Sequence, residues 1–369
     1  MNNQSILLAP IYTQFVGIQL LRFVAAMLVV VMHLTQSISI HHTGTGAGDY
    51  WHYGSAGVDI FFVISGFVMA SSTRKLPADS LVRIDAAWDF MRRRILRVVP
   101  LYWFYTLLKL VLLLAIPSLA LRTSLDVQHL VLSLLFIPTI SPWGLVEPVL
   151  PVGWTLNFEM FFYAVFAIAI AFGRQRILFA LMIFLFAFLL GQFADDVVAL
   201  KFYGSSMIFE FVLGAGISHF HASTPKSSPW WGLPAVAVGL LLLFGISWDA
   251  ATDRFLTWGL GAGFIVIGTI WLEPWINTHQ WSRRIAFLGD ASYSIYLSHT
   301  FVVPAGVMLF KLADLHNGLL IAMSVAIMVV VAGSASYMWI EKPLGKALKR
   351  SLRGKSDSTF PASGESHAK

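Results

Sequence analysis

Cysteine is absent from the 369-residue sequence. That excludes disulfides, thiolate metal sites, cysteine nucleophiles and acyl-cysteine intermediates together, without fixing a compartment. Charge is scarce as well: Asp, Glu, Lys and Arg make up 12% of the residues against 57% hydrophobic ones, and mean hydropathy is +0.73. So little charge excludes an ordinary soluble chain of two or three domains. Familiar catalytic signatures are missing too. There is no Gly-x-Ser-x-Gly elbow, no His-Glu-x-x-His zinc site, no P-loop and no His followed five residues later by Asp. The glycine-laced GLGAGF from Gly259 follows no predicted strand and reads as close helix packing, not as a dinucleotide loop. The opening MNNQSILLAPIYTQFVG has no basic n-region and no nearby small-residue cleavage site, so the first apolar run is expected to be a retained anchor.

Apolar runs of about 17 to 23 residues recur along the whole chain, each long enough to cross a hydrocarbon core of about 30 Å as a helix. They define an all-α integral membrane protein, a bundle of about ten transmembrane helices, near residues 18–38, 56–73, 98–119, 151–172, 177–193, 203–220, 230–247, 255–272, 289–310 and 318–340. The run His129 to Ile140 is too short to span and reads as re-entrant or interfacial. With the N-terminus cytoplasmic, the inner loops and tail hold 19 of the 25 Lys and Arg residues, which puts both termini inside. The net charge of +6 is therefore mainly a topology signal, and nothing calls for nucleic acid. Residues 1–341 form the transmembrane domain. Residues 342–369 read as a basic tail that begins as an amphipathic turn or two on the anionic inner leaflet and then becomes largely disordered. No internal repeat stands out, so inverted-repeat transporter architecture gains no support.

Ionisable side chains inside such spans cost about 2.5 to 3.5 kcal/mol each at a helix centre, so each calls for a partner or a task. They are Arg22, His33, Asp59, Lys109, Glu159, Glu210 and His299. The span directions place His33, Glu159, Glu210 and His299 at a similar depth, which predicts a shared polar cavity. In LRFVAAMLVVVMHL, from Leu21 to Leu34, Arg22 and His33 are eleven residues apart. That separation is about three turns plus roughly 20°, with a rise of about 16 Å, so one helix face would join the cytoplasmic surface to the membrane centre. Two other readings stay open: Arg22 snorkelling to the inner headgroups, and His33 bonding a neighbouring helix.

Three further clusters stand out. DFMRRRILRVVPLYW, from Asp89, sets Arg92, Arg93, Arg94 and Arg97 before the third span, with Pro100 at its start. This is either a topology signal or a phosphate site for a coenzyme, since planar guanidinium groups one turn apart suit bidentate contact. GWTLNFEMFFY, from Gly153, puts Glu159 and Tyr163 one turn apart. GDASYSIYLSHT, from Gly289, aligns Tyr293, Tyr296 and His299 along one face, which serves equally as helix-packing glue. Ser65 in the notch ISGF is a cavity-lining or packing residue.

Together these pieces resemble the acyltransferase-3 family of multi-span membrane O-acyltransferases. LRFVAAMLVVVMH, GVDIFFVISGF, RRRILRVVPLYW, WTLNFEMFFY and SYSIYLSH occur in the family's order and cover nearly all of the chain to Glu341. The resemblance implies a multi-pass protein of the cell inner (plasma) membrane that takes an acyl group, usually acetyl, from cytoplasmic acyl-CoA. The acceptor would be a hydroxyl presented from the outer side. It assigns catalytic roles to His33, Glu159 and Arg22, coenzyme A binding to Arg94 and Arg97 with Arg93 beside them, and leaves Ser65, Tyr163, His299 and Tyr296 to line the cavity. The chain's short form is similar to exopolysaccharide-modifying members, which implies an exopolysaccharide, O-antigen or lipid-linked saccharide acceptor and polysaccharide assembly machinery as partner. The residues agree. A neutral imidazole with a pKa near 6.5 can take a proton from a sugar hydroxyl, with Glu159 holding the ring or stabilising its charge. A thioester already carries an activated carbonyl, so no metal is expected. The rival reading is a proton-coupled transporter built on the same buried His and Glu residues.

Overall fold

A computed structural model describes residues 15–44, 50–74, 80–115, 126–224, 228–245 and 254–357. The described residues are helical with short 3-10 and π segments; the isolated bridge Ile140–Val146 is the extended pairing among them. Among the described residues eight helices are long and apolar enough to cross a membrane, and each matches an expected span. The other two expected spans are shorter apolar helices, Arg176–Gln192 and Pro229–Gly245.

Helix α1 (Val16–Ile38) is central, with α2 (Ala56–Ser72), α10 (Leu260–Ile276), α11 (Gln280–Asp290), α12 (Ser292–Leu312) and α13 (Gly318–Ser336) packed around it. Backbones meet where glycines remove the side chain. A Cβ on Gly66 of α2 would collide with the Phe211 carbonyl of α8 (Ile208–Ser223), and one on Gly214 would collide with the Val63 carbonyl. Such small-residue contacts replace the hydrophobic drive that lipid does not supply. The GLGAGF stretch behaves in the same way: Gly261 lies against Gly239 of α9 (Gly232–Leu240).

Two sequence expectations change, at Pro100 and in the tail. Pro100 does not start a helix; it lies inside α3, Ser80–Ala115, which begins twenty residues earlier. The arginine cluster is thus helical and continuous with the span, the ring being tolerated where neighbouring helices re-satisfy the backbone. The run from His129 holds only a short helix, α4 (Val127–Leu134), tied to α3 by Tyr102 Oη donating to Ser133 O at 3.0 Å and Trp103 Nε1 donating to Leu134 O at 2.9 Å. The tail does not fade after two turns. It forms α14 (Lys342–Asp357), joined to α13 through the π segment Tyr337–Glu341, with Lys342, Lys346, Lys349 and Arg350 exposed and Leu344 and Leu348 half-buried. Residues 1–14 and 358–369 lie outside the described residues.

Candidate functional site

A cavity of about 730 Å³, counting its mouth, lies among α1, α2, α3, α12 and α5 (Trp154–Ile170). Its polar lining includes Arg22, Ser65, Arg97, Glu159, Tyr163 and Tyr296. Helical spacing delivers these groups. On α5, residues 155, 159 and 163 recur every four positions and so share one face. On α3 the buried positions 90, 94, 98, 101 and 105 follow the same period, so Arg94 turns inward while Arg93 turns out.

Arg22 does not snorkel. It is 6% exposed, donates to Gln19 Oε1 at 3.1 Å and lines the cavity. Arg94 is buried too, its guanidinium 5.3 Å from the Phe90 ring centre and 5.4 Å from that of Tyr163. Glu159 Oε1 accepts from Ser65 Oγ at 3.3 Å and from Tyr163 Oη. Tyr296 Oη is bound to Val152 O at 3.0 Å and to Thr155 Oγ1 at 2.9 Å, and Tyr293 Oη donates to Val98 O at 2.8 Å. These bonds fasten α12 to α3 and to the start of α5.

His33 is not part of the cavity wall. Its ring lies 5.0 Å from that of His299, with His299 Nε2 at 3.3 Å from His33 Nδ1, and His33 Nδ1 is 3.0 Å from Val29 O. Tyr296 connects the two regions: it lines the cavity, and its ring centre is 5.7 Å from that of His299. The partner that the sequence reading gave to His33, Glu159, is bonded instead to Ser65 and Tyr163.

The sequence profile described as an acyltransferase domain matches residues 15–339. This chain belongs to the acyltransferase-3 family. The exopolysaccharide production protein ExoZ of Rhizobium meliloti (strain 1021) is 36% identical over 321 residues, 83% of this chain and 94% of that one. No solved structure matches the chain significantly. It is thus a multi-span membrane protein of an acyltransferase family, similar to a protein of exopolysaccharide production.

In this acyltransferase-3 protein the buried charges do not share one cavity, as their depth had suggested. Glu210 sits in another seam with Asp59, which is 0% exposed and bonded by Arg254 at 2.9 and 2.8 Å. Lys109 has Glu147 as its electrostatic neighbour, away from the cavity wall. Arg93, at 48% side-chain exposure, pairs with Asp89 at 3.9 Å. One acid was overlooked. Glu341, read from the sequence only as the end of the domain, accepts from Ser294 Oγ at 2.6 Å and has Arg97 and Arg22 as electrostatic neighbours. Its signal was a carboxylate standing at the end of the last apolar run. Among the described residues no group of three or more His, Asp or Glu could hold a metal.

Proposed function

We propose that this protein is an acyl-CoA-dependent O-acyltransferase of the inner membrane, with both termini cytoplasmic. It moves an acyl group, acetyl by default, from cytoplasmic acyl-CoA to a hydroxyl of an exopolysaccharide, O-antigen or lipid-linked glycan. The observation that carries this reading is the placement of Arg22 and Arg97 on the wall of one cavity, with Arg94 buried against its Tyr163, a cavity that also holds Glu159 and adjoins, through Tyr296, a histidine pair. Two guanidinium groups on the wall of a shielded site, with a third packed against its Tyr163, suit the phosphates of coenzyme A, which a proton symporter would not require. The wall also carries apolar side chains, among them Phe61, Phe62 and Val68, a mixed lining that suits the arm of a thioester. The exopolysaccharide role printed for ExoZ supports a glycan acceptor.

In the reaction, His33 Nε2 takes the hydroxyl proton as the acceptor oxygen attacks the thioester carbonyl. The C–S bond breaks, and the thiolate leaves with the proton returned by the His33 imidazolium, so an ester and a free thiol are the products. Glu159, fixed by Ser65 and Tyr163, supplies negative charge while the imidazolium exists. If His33 is instead an acyl relay, rapid quenching traps an acyl-His33 adduct. The test is release of CoA from acetyl-CoA by the purified protein, with loss of O-acetyl groups from the cell's glycan when the protein is deleted. His33→Ala abolishes both. Failure of acetyl-CoA to bind or turn over, with discharge of a solute gradient, would refute the reading in favour of a transporter.

A further inference from the structure

The reaction above leaves His299 without a role, yet its surroundings specify it closely. It is 0% exposed, its Nδ1 is 2.5 Å from Tyr296 O, and its Nε2 faces His33 Nδ1 at 3.3 Å. His33 Nδ1 also meets Val29 O at 3.0 Å. A carbonyl oxygen only accepts, so a nitrogen that bonds one carries the hydrogen. In neutral His299 the hydrogen is therefore on Nδ1, and Nε2 is a bare acceptor. The Nδ1–H of His33 is then shared between Val29 O and His299 Nε2, and His33 Nε2 keeps its lone pair. The reverse arrangement would set two acceptors, His299 Nδ1 and Tyr296 O, against each other at 2.5 Å in a fully buried position.

We propose that His299 is a positioning residue for His33: it accepts the Nδ1–H bond, holds the ring with Nε2 bare, and spreads the charge of the imidazolium. The proposal rests on the acyl-transfer reading, in which His33 Nε2 is the base. The logic is that of the buried acid behind the histidine of a hydrolase triad, with a neutral imidazole in its place. No proton leaves for His299 during the reaction. The acceptor's proton enters at His33 Nε2 and departs from the same atom to the thiolate, while Nδ1–H stays on His33.

The experiment uses the full chain in lipid nanodiscs with 15N-labelled histidine, the His33 signals being assigned by their loss in His33→Gln. The wild type is expected to show His33 with protonated Nδ1 and bare Nε2, and His299→Phe to show His33 as mixed tautomers. With acetyl-CoA as donor and a host-cell extract of lipid-linked saccharides as acceptor, His299→Phe lowers kcat about 10- to 100-fold, the scale of one hydrogen bond to a charged group. KM for acetyl-CoA stays within about twofold, and His299→Gln, which keeps an acceptor at the same reach, restores most of kcat. A wild-type His33 with protonated Nε2 overturns the proposal. So does His299→Phe with unchanged kcat, or His299→Gln no better than His299→Phe. Should the wild type transfer no acetyl group, the reaction reading fails on its own, and the nitrogen spectra still decide the histidine pair.

Discussion

Replacing Asp59 by Asn tests how the buried charges outside the cavity are balanced. Arg254 grips Asp59 through both carboxylate oxygens at 2.9 and 2.8 Å, donates to Ser55 O at 3.3 Å, and lies 4.8 Å from the Trp258 ring centre. Removing one partner of a buried pair costs about 3–5 kcal/mol, because the other charge is left uncompensated. Here a substitute is at hand. Glu210 is fully buried beside this pair, and both Asp59 and Arg254 are its electrostatic neighbours. Asp59→Asn therefore lets Glu210 become the counter-ion of Arg254, and the loss falls to about 1–2 kcal/mol, well under the full cost of an orphaned charge. Glu210→Gln alone is near neutral, since Asp59 keeps Arg254. The double variant leaves Arg254 with no acid and loses about 3–5 kcal/mol, more than the sum of the singles. Thermal unfolding of the four proteins in one detergent gives the comparison. Additive losses, or an Asp59→Asn protein as stable as the wild type, would refute the substitution of one acid for the other.

Arg94→Ala and Arg97→Ala should each raise KM for acetyl-CoA about 10- to 100-fold, the scale of a charge-assisted bond to phosphate, whereas outward-facing Arg93→Ala shifts it less than about twofold; steady-state kinetics read all three. Tyr163→Phe removes the hydroxyl that holds Glu159 and should lower kcat about tenfold with the fold intact, checked by the same assay and by gel filtration. Gly66→Leu forces α2 from α8 and should abolish monodisperse protein, while Gly216→Ala, where a new Cβ meets nothing within 4 Å, should raise stability by about 0.4–1 kcal/mol. Unchanged behaviour of Gly66→Leu on gel filtration would contradict the backbone contact.

Much of this molecule is legible in one dimension. Apolar run length and helical period are local properties, so each expected run holds a helix, Arg22 and His33 share α1, and the 155, 159 and 163 positions share a face of α5. The family motifs are equally local, and the acyltransferase domain covers the stretch that they span. What the sequence could not show is which buried charge meets which. Depth alone put His33, Glu159, Glu210 and His299 together, but depth is one coordinate of three. The bundle sends Glu159 to Ser65 and Tyr163, Glu210 to the Asp59–Arg254 pair and His33 to His299. The partners of His33 and Glu159 on other helices are 266 and 94 residues away, beyond any periodicity. They meet because helices approach where side chains vanish, as at Gly66 and Gly214, and rotate to bury arginines such as Arg22 and Arg94 against aromatic and polar neighbours. Composition and period thus determined the membrane bundle and its candidate residues. Only helix-to-helix packing decided which of them form the cavity, which pair behind it, and which serve the fold elsewhere.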